Sequence, residues 1–274
     1  MKKIALAILL LLIWTFADTA ASAAKKDDRV QMLPWEEVNK LLPKYSTFTV
    51  EDLETGKRFT VQRRAGSSHA DVQPISKKHT KTMKRIYNGK WSWKRRAIIV
   101  EHKGKRIAAS MHGMPHGAGA IQNNFPGHFC IHFFGSTTHR TDHMDLSHKL
   151  MIFKAAGKLE EYLAAAGPSE LIDAYAAGIK EEDEKILKNI ILEKRNYIPI
   201  FKKVENVSIS QMSAPTENEF QTDLFVSVPV KIEWYVKGEG RVKFKGEINL
   251  IRYSPEGPWK LDSEKLLKEN RFIE

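Results

Sequence analysis

The chain has 274 residues, 42% of them apolar, and carries 44 Lys+Arg against 33 Asp+Glu for a formal net charge of +11. That composition supports a packed core and excludes wholesale disorder. Cys130 is the single cysteine, which excludes an internal disulfide.

Residues 1–23 read as a secretory signal peptide. Lys2 and Lys3 supply the positive start, Ile4 to Phe16 the apolar run, and Ala21-Ser22-Ala23 the small residues before a cleavage site. The run is short for a bilayer span, so the alternative of a retained anchor is the weaker one. The expectation is an exported protein, extracellular or in the cell envelope, with no stable membrane anchor after cleavage. Charge is uneven along the rest. Residues 25–166 hold 25 Lys+Arg against 13 Asp+Glu, and residues 167–274 hold 17 against 19. A basic first half points to an anionic partner such as a wall polymer. Export argues against nucleic acid.

Met32 to Lys44 is predicted as a short helix. Phe48 to Val50 and Phe59 to Val61 alternate around a turn containing Gly56, the pattern of a hairpin. Thr80 to Tyr87 reads as a helix. Ala97 to Glu101 and Arg106 to Met111 read as a second hairpin. Gly113 to Gly127 has loop chemistry, with Phe129 to Phe134 a strand after it. Asp145 to Ala166 is predicted helical. Gly167-Pro168-Ser169 is the expected domain boundary, because Pro stops one helix and Ser can cap the next. Glu170 to Arg195 has helical spacing, and the acidic run Glu181 to Glu184 reads as its solvated face. Val204 to Ser210, Phe220 to Glu233, Arg241 to Tyr253 and Trp259 to Leu261 are predicted strands. The fold class is therefore mixed α+β: a β-rich domain over 24–166 followed by a smaller α+β domain, helix plus antiparallel sheet, over 168–274. The element order of the second part resembles the cone-shaped domains of the nuclear-transport-factor-like superfamily.

Seven of the ten histidines, His112, His116, His128, His132, His139, His143 and His148, lie in one stretch around Cys130. A thiol attacks carbonyls as thiolate and needs a base within hydrogen-bond reach, a group to hold that base, and donors for the oxyanion. Gly127-His128-Phe129-Cys130 enters a strand directly from the glycine-rich loop, which can deliver a second histidine.

His112-Gly113, followed by Gly127-His128-Phe129-Cys130-Ile131-His132, resembles the catalytic motif of L,D-transpeptidases of the YkuD type. That motif is a His-Gly followed by Ser/Thr-His-Gly-Cys. The resemblance covers residues 90–150. Gly127 stands where the family has Ser or Thr, Phe129 where it has Gly, and His132 where it often has Arg. The resemblance implies a cysteine acyl-transferase or peptidase acting on peptidoglycan stem peptides, with Cys130 as nucleophile and His112 as base. It also implies that the Gly113 carbonyl orients His112, that His128 supports the loop, and that N–H groups near Phe129 and Cys130 form the oxyanion hole. Such chemistry needs no cofactor and no metal ion.

His116, His132 and His69 are further candidates for contact with substrate. Trp91 and Trp93, interleaved with Lys94 to Arg96, suit stacking on a sugar or an acidic peptide. Ser67 to Asp71 reads as a turn that could also line the cleft. Two alternatives stay open. One is a non-catalytic wall- or metal-binding protein. The other is a zinc-dependent wall-peptide hydrolase in which Cys130 is joined as ligand by His69, Asp71 and loop histidines.

Overall fold

The computed structural model describes residues 29–138, 143–213 and 222–274. The predicted signal peptide and His139 lie outside these residues. Seven strands build the first sheet: β1 (Val30–Gln31), β2 (Thr47–Asp52), β3 (Arg58–Ala65), β4 (Ala70–Pro74), β5 (Arg96–His102), β6 (Lys105–Met111) and β7 (Phe129–His132). Their order is β6-β5-β2-β3-β4-β7, and β7 pairs back onto β6 through Met111↔Ile131 and Ser110↔His132. The six strands thus close into an antiparallel barrel, which leaves no open edge along that path. β1 adds alongside β6 in parallel.

Side chains alternate along each strand, so the closed sheet has an inner and an outer set. Phe48, Val50, Phe59, Val61, Ala70, Val72, Ile98, Val100, Ile107, Ala109, Met111, Phe129 and Ile131 share one core cluster. Helix α1 (Trp35–Leu41) adds Trp35 and Val38 to it, and α2 (Lys77–Ile86) adds Met83 and Ile86. Trp35 stacks on Phe133 and donates its indole N–H to the Ser67 carbonyl at 2.7 Å. Phe129 is fully buried in this core, with Phe59 and Phe125 rings at 6.3 and 5.6 Å.

The other parity points outward. On β5 and β6, Ala97, Ile99 and Ala108 face helix α3 (Leu146–Ala155), which buries Leu150, Met151 and Ile152 there. Gly157, at φ +72°, ends this helix, and α4 (Leu159–Ala165) follows. The single predicted helix over 145–166 is therefore two. The next predicted helix is also two, α5 (Pro168–Glu181) and α6 (Glu184–Ile190). Glu182 turns left-handed at φ +52°, and the Asp183 carboxylate accepts from the Ile186 N–H at 3.0 Å to cap α6. The acidic run is thus not a solvated helical face. Asp183 is buried against Lys154, and Glu181 accepts the Arg95 backbone N–H at 2.6 Å.

After α7 (Ile198–Phe201), the strands β8 (Val204–Gln211), β9 (Phe225–Val236), β10 (Gly240–Ile251) and β11 (Lys260–Leu261) form an antiparallel sheet in the order β11-β10-β9-β8. Helix α8 (Ser263–Glu269) closes the chain, and Trp234, fully buried, donates to Asn270 at 2.8 Å. The architecture is mixed α+β. Pro168 does open a helix, but the packing does not stop there. One hydrophobic cluster takes in Ala97, Ile99 and Ala108 from the barrel, Leu150 to Ile152 from α3, Leu171 to Tyr175 from α5, and Val228 to Trp234 from β9. Among the described residues no helix is long and apolar enough to cross a membrane.

Candidate active site

The outward parity of β4, β7 and β6 is polar where it borders the long loop. Asp71 lies on β4, Cys130 and His132 on β7, and Ser110 on β6, with His112 just past its end. Asp71 is directly opposite Cys130, and Ser110 opposite His132. Adjacent strands lie ~5 Å apart, so these side chains meet. The segment Ser67 to Asp71, read from sequence as a turn, runs into strand β4, whose residues are all buried.

The loop 113–127 returns His116 to the same place. Its course is tied to β4: the Gln73 side-chain oxygen accepts the N–H groups of Ala120 and Ile121 at 2.8 and 3.1 Å, and Asn123 donates to the Pro74 carbonyl. His116 and His128 exchange two backbone hydrogen bonds of 2.9 Å. This crossing depends on Gly127, at φ +123°, where an added Cβ would sit 2.4 Å from the His116 carbonyl oxygen. That conformation disfavours any residue that carries a Cβ at this position. Gly127→Ala is expected to destabilise the fold by about 1–3 kcal/mol and to shift His116. Urea denaturation with thiol titration checks both effects.

Cys130 is 3% exposed. Its Sγ lies 3.3 Å from His116 Nε2 and 3.5 Å from Asp71 Oδ1. His116 Nδ1 is 3.2 Å from the Met114 carbonyl oxygen. A carbonyl only accepts, so Nδ1 carries the proton and Nε2 presents its lone pair to the thiol. His112 lies behind His116, with ring centroids 5.3 Å apart, and a ring nitrogen of His112 falls within 4.8 Å of Sγ. The sequence picked out the right neighbourhood, but the imidazole in contact with sulfur is His116. Gly113 is tied to the segment that precedes β5. Its N–H donates to the Ser92 carbonyl at 2.8 Å, and His112 Nδ1 faces the Met114 N–H at 3.4 Å.

Comparison with family models, with curated proteins and with solved structures finds no match to this chain. The chemistry therefore rests on the geometry alone. Burial raises the Cys130 thiol, and the Asp71 carboxylate raises it further, so the resting group is the thiol. Burial lowers His112 to about 3, helped by His116 and Arg95. Burial pushes the Asp71 carboxyl up, but the hydrogen bond from His69 and the nearby His128 outweigh it and hold the carboxyl at about 2. His69 Nε2 is 3.1 Å from Asp71 Oδ1, while its Nδ1 is 2.9 Å from the Thr137 carbonyl. His128 Nδ1 is 3.0 Å from the Ala118 carbonyl, and its Nε2 is 3.9 Å from Asp71.

Behind Cys130 three imidazoles stack. His69 and His132 are 4.6 Å apart and His132 and His148 are 3.9 Å apart, both pairs within 17° of parallel. His148 comes from α3 and meets the Ser110 hydroxyl at 2.9 Å. His143 is exposed, on the approach to α3. The two tryptophans separate. Trp91 packs edge-on against Phe125 at 5.2 Å and belongs to the barrel end. Trp93, 51% exposed, lies over His112 at 4.7 Å and His116 at 5.7 Å. It borders a cleft of about 470 Å³ shared with Lys94, Arg95, Asp145 and Glu181. The sequence reading put Asp71 beside the thiol only in the zinc alternative, and it counted His148 in the histidine stretch without giving it a role. The alternation Ala70/Val72 inward, His69/Asp71/Gln73 outward was the signal for β4.

Proposed function

We propose that this chain is a cysteine acyl-transferase or peptidase of the cell envelope, resembling L,D-transpeptidases in chemistry, with Cys130 as nucleophile and His116 as base. The relay from the Cys130 thiol to His116 Nε2, with Nδ1 held by the Met114 carbonyl, carries the reading. A nucleophile, a base and a group that orients the base are three of the parts that acyl transfer by a thiol requires.

In this scheme Sγ attacks the substrate carbonyl carbon while its proton passes to His116 Nε2. The departing amine takes that proton as the C–N bond breaks, leaving a thioester on Cys130. An acceptor amine or water then attacks the thioester, gives a proton to His116, and the thiol is restored. His112 backs the base, and Trp93 covers both rings beside the cleft. Wall stem peptides are the proposed substrate class, supported by the basic first half of the chain and by the predicted leader.

The test is incubation of the purified protein with wall stem tetrapeptides, followed by intact-mass measurement. The expected result is an acyl adduct that Cys130→Ala abolishes. Absence of any adduct or peptide turnover over a panel of stem peptides would sink the proposal.

A further inference from the structure

We infer that Cys130, His112 and His116 also form a three-ligand site for zinc or another thiolate-seeking transition-metal ion. The ion and acyl transfer would compete for the same sulfur. This inference rests on the side-chain geometry, and it does not require the acyl-transfer reading to be correct.

One ring nitrogen each from His112 and His116 and the Cys130 sulfur lie within 4.8 Å of one another. Tetrahedral zinc with bonds near 2.0 Å to nitrogen and 2.3 Å to sulfur sets its ligand atoms about 3.3–3.6 Å apart. The Sγ to His116 Nε2 separation is already 3.3 Å. His116 also has the outer partner that metal-binding imidazoles have: its Nδ1 meets a backbone carbonyl, which leaves Nε2 as the ligand atom.

A second triplet, His69, Cys130 and His132, is as compact. It is the poorer site for two reasons. Both nitrogens of His69 are engaged, one by the Thr137 carbonyl and one by Asp71. The His69 and His132 rings are also stacked 13° from parallel, which aims their in-plane lone pairs side by side. The His112 and His116 rings are inclined by 40°. Of the three ligands His116 is the partly exposed one, so the site meets solvent on the His116 side, while Trp93 covers the His112 and His116 rings.

Binding would convert the thiol to a thiolate and release its proton to solvent. The sulfur lone pair that would attack a carbonyl would be donated to the metal. Three protein ligands leave a fourth position for water.

The probe is cobalt(II) chloride added to chelator-treated protein without substrate. Binding of one equivalent with a thiolate-to-cobalt charge-transfer band is expected. Cys130→Ser should abolish the band, and His112→Ala and His112→Gln should each weaken binding by about a hundredfold or more. His132→Ala should leave the band in place. Far-UV circular dichroism on each variant confirms that it is folded. Zinc should protect Cys130 from iodoacetamide. A band lost in His132→Ala but kept in folded His112→Ala overturns the assignment, as does the absence of any band. Iodoacetamide labelling without metal reads the acyl-transfer proposal separately. Labelling that needs His116 but is not blocked by zinc would refute the metal site alone.

Discussion

Removing the imidazole of His116 is expected to slow alkylation of Cys130 at neutral pH by about a hundredfold, near the lower end of what a positioned general base supplies. The argument starts from the resting state. A reactive thiol is commonly poised as thiolate beside a cation. Here burial and the Asp71 carboxylate keep the proton on sulfur, so it must leave during attack. Two acceptors face it, Asp71 Oδ1 at 3.5 Å and His116 Nε2 at 3.3 Å, and His116, the nearer, is the group placed to take the proton. His112 touches the thiol less directly, so His112→Ala should cost less than His116→Ala. Asp71→Asn removes a neighbouring negative charge and should speed alkylation, provided that His69 stays in place. Second-order rate constants for iodoacetamide, measured for wild type and the three variants, check the order. A His116→Ala rate equal to wild type would rule out His116 as base.

Acidification is expected to destabilise the protein from about pH 6.5 downward, starting above the ordinary carboxylate range. His112 is held at about 3, and burial drives His148 well below its ordinary value, with His132 and Arg95 adding to it. In the unfolded chain both titrate near 6.5. Below pH 6.5 the unfolded state therefore binds two protons that the folded state refuses, and stability falls as pH falls. Each such group contributes up to about 1.4 kcal/mol per pH unit. His112 alone removes about 2 kcal/mol between pH 6.5 and 4.5, and His148 acts in the same direction, against an ordinary domain stability of about 5–15 kcal/mol. Asp71 acts lower down. Its folded value near 2 gives stability that is present above the unfolded carboxylate range and lost as pH drops toward 2. Urea midpoints at pH 7.5, 6.5, 5.5 and 4.5 give the measurement. The slope should be steep between 6.5 and 4.5 and flat above. A flat profile through pH 5 would mean that these rings are hydrated or protonated in the folded state.

Much of the barrel was legible because alternation survives wherever one face is apolar. Phe48/Val50 and Phe59/Val61 marked a hairpin, and the strands formed with the register Val50↔Phe59 and Phe48↔Val61. β4 was not read because its outward residues, His69, Asp71 and Gln73, are polar, and in a short segment they look like a turn. They are buried all the same, under the loop 113–127. Helix breaks were missed at Gly157 and Glu182, where a left-handed residue within a helical pattern leaves the period nearly intact. The site was legible as a cluster and not as an arrangement. Spacing brought His112 and Cys130 to one end of adjacent strands, which the barrel closure produces. It could not show that the left-handed backbone at Gly117 and Gly127 folds the loop back and puts His116 in front of His112. The pairing of Trp91 with Trp93 also dissolved, since strand-like alternation at Ser92 sends the two rings to different surroundings.

The shared cluster behind α3 has a consequence for the order of assembly. By residue 132 all six barrel strands have been synthesised, and their pairings are mostly between neighbours in sequence. The helix that brings His148 against Ser110 still has a bare apolar flank at that point. It is covered only when Leu171, Ile172 and Tyr175 arrive. A chain stopped at residue 166 would hold Cys130, His116 and Asp71 on a closed barrel, with the rear wall of the imidazole stack loosely held. Completion of the thiol pocket is thus a late event in the life of the chain, timed by a segment that lines the neighbouring cleft but makes no contact with Cys130.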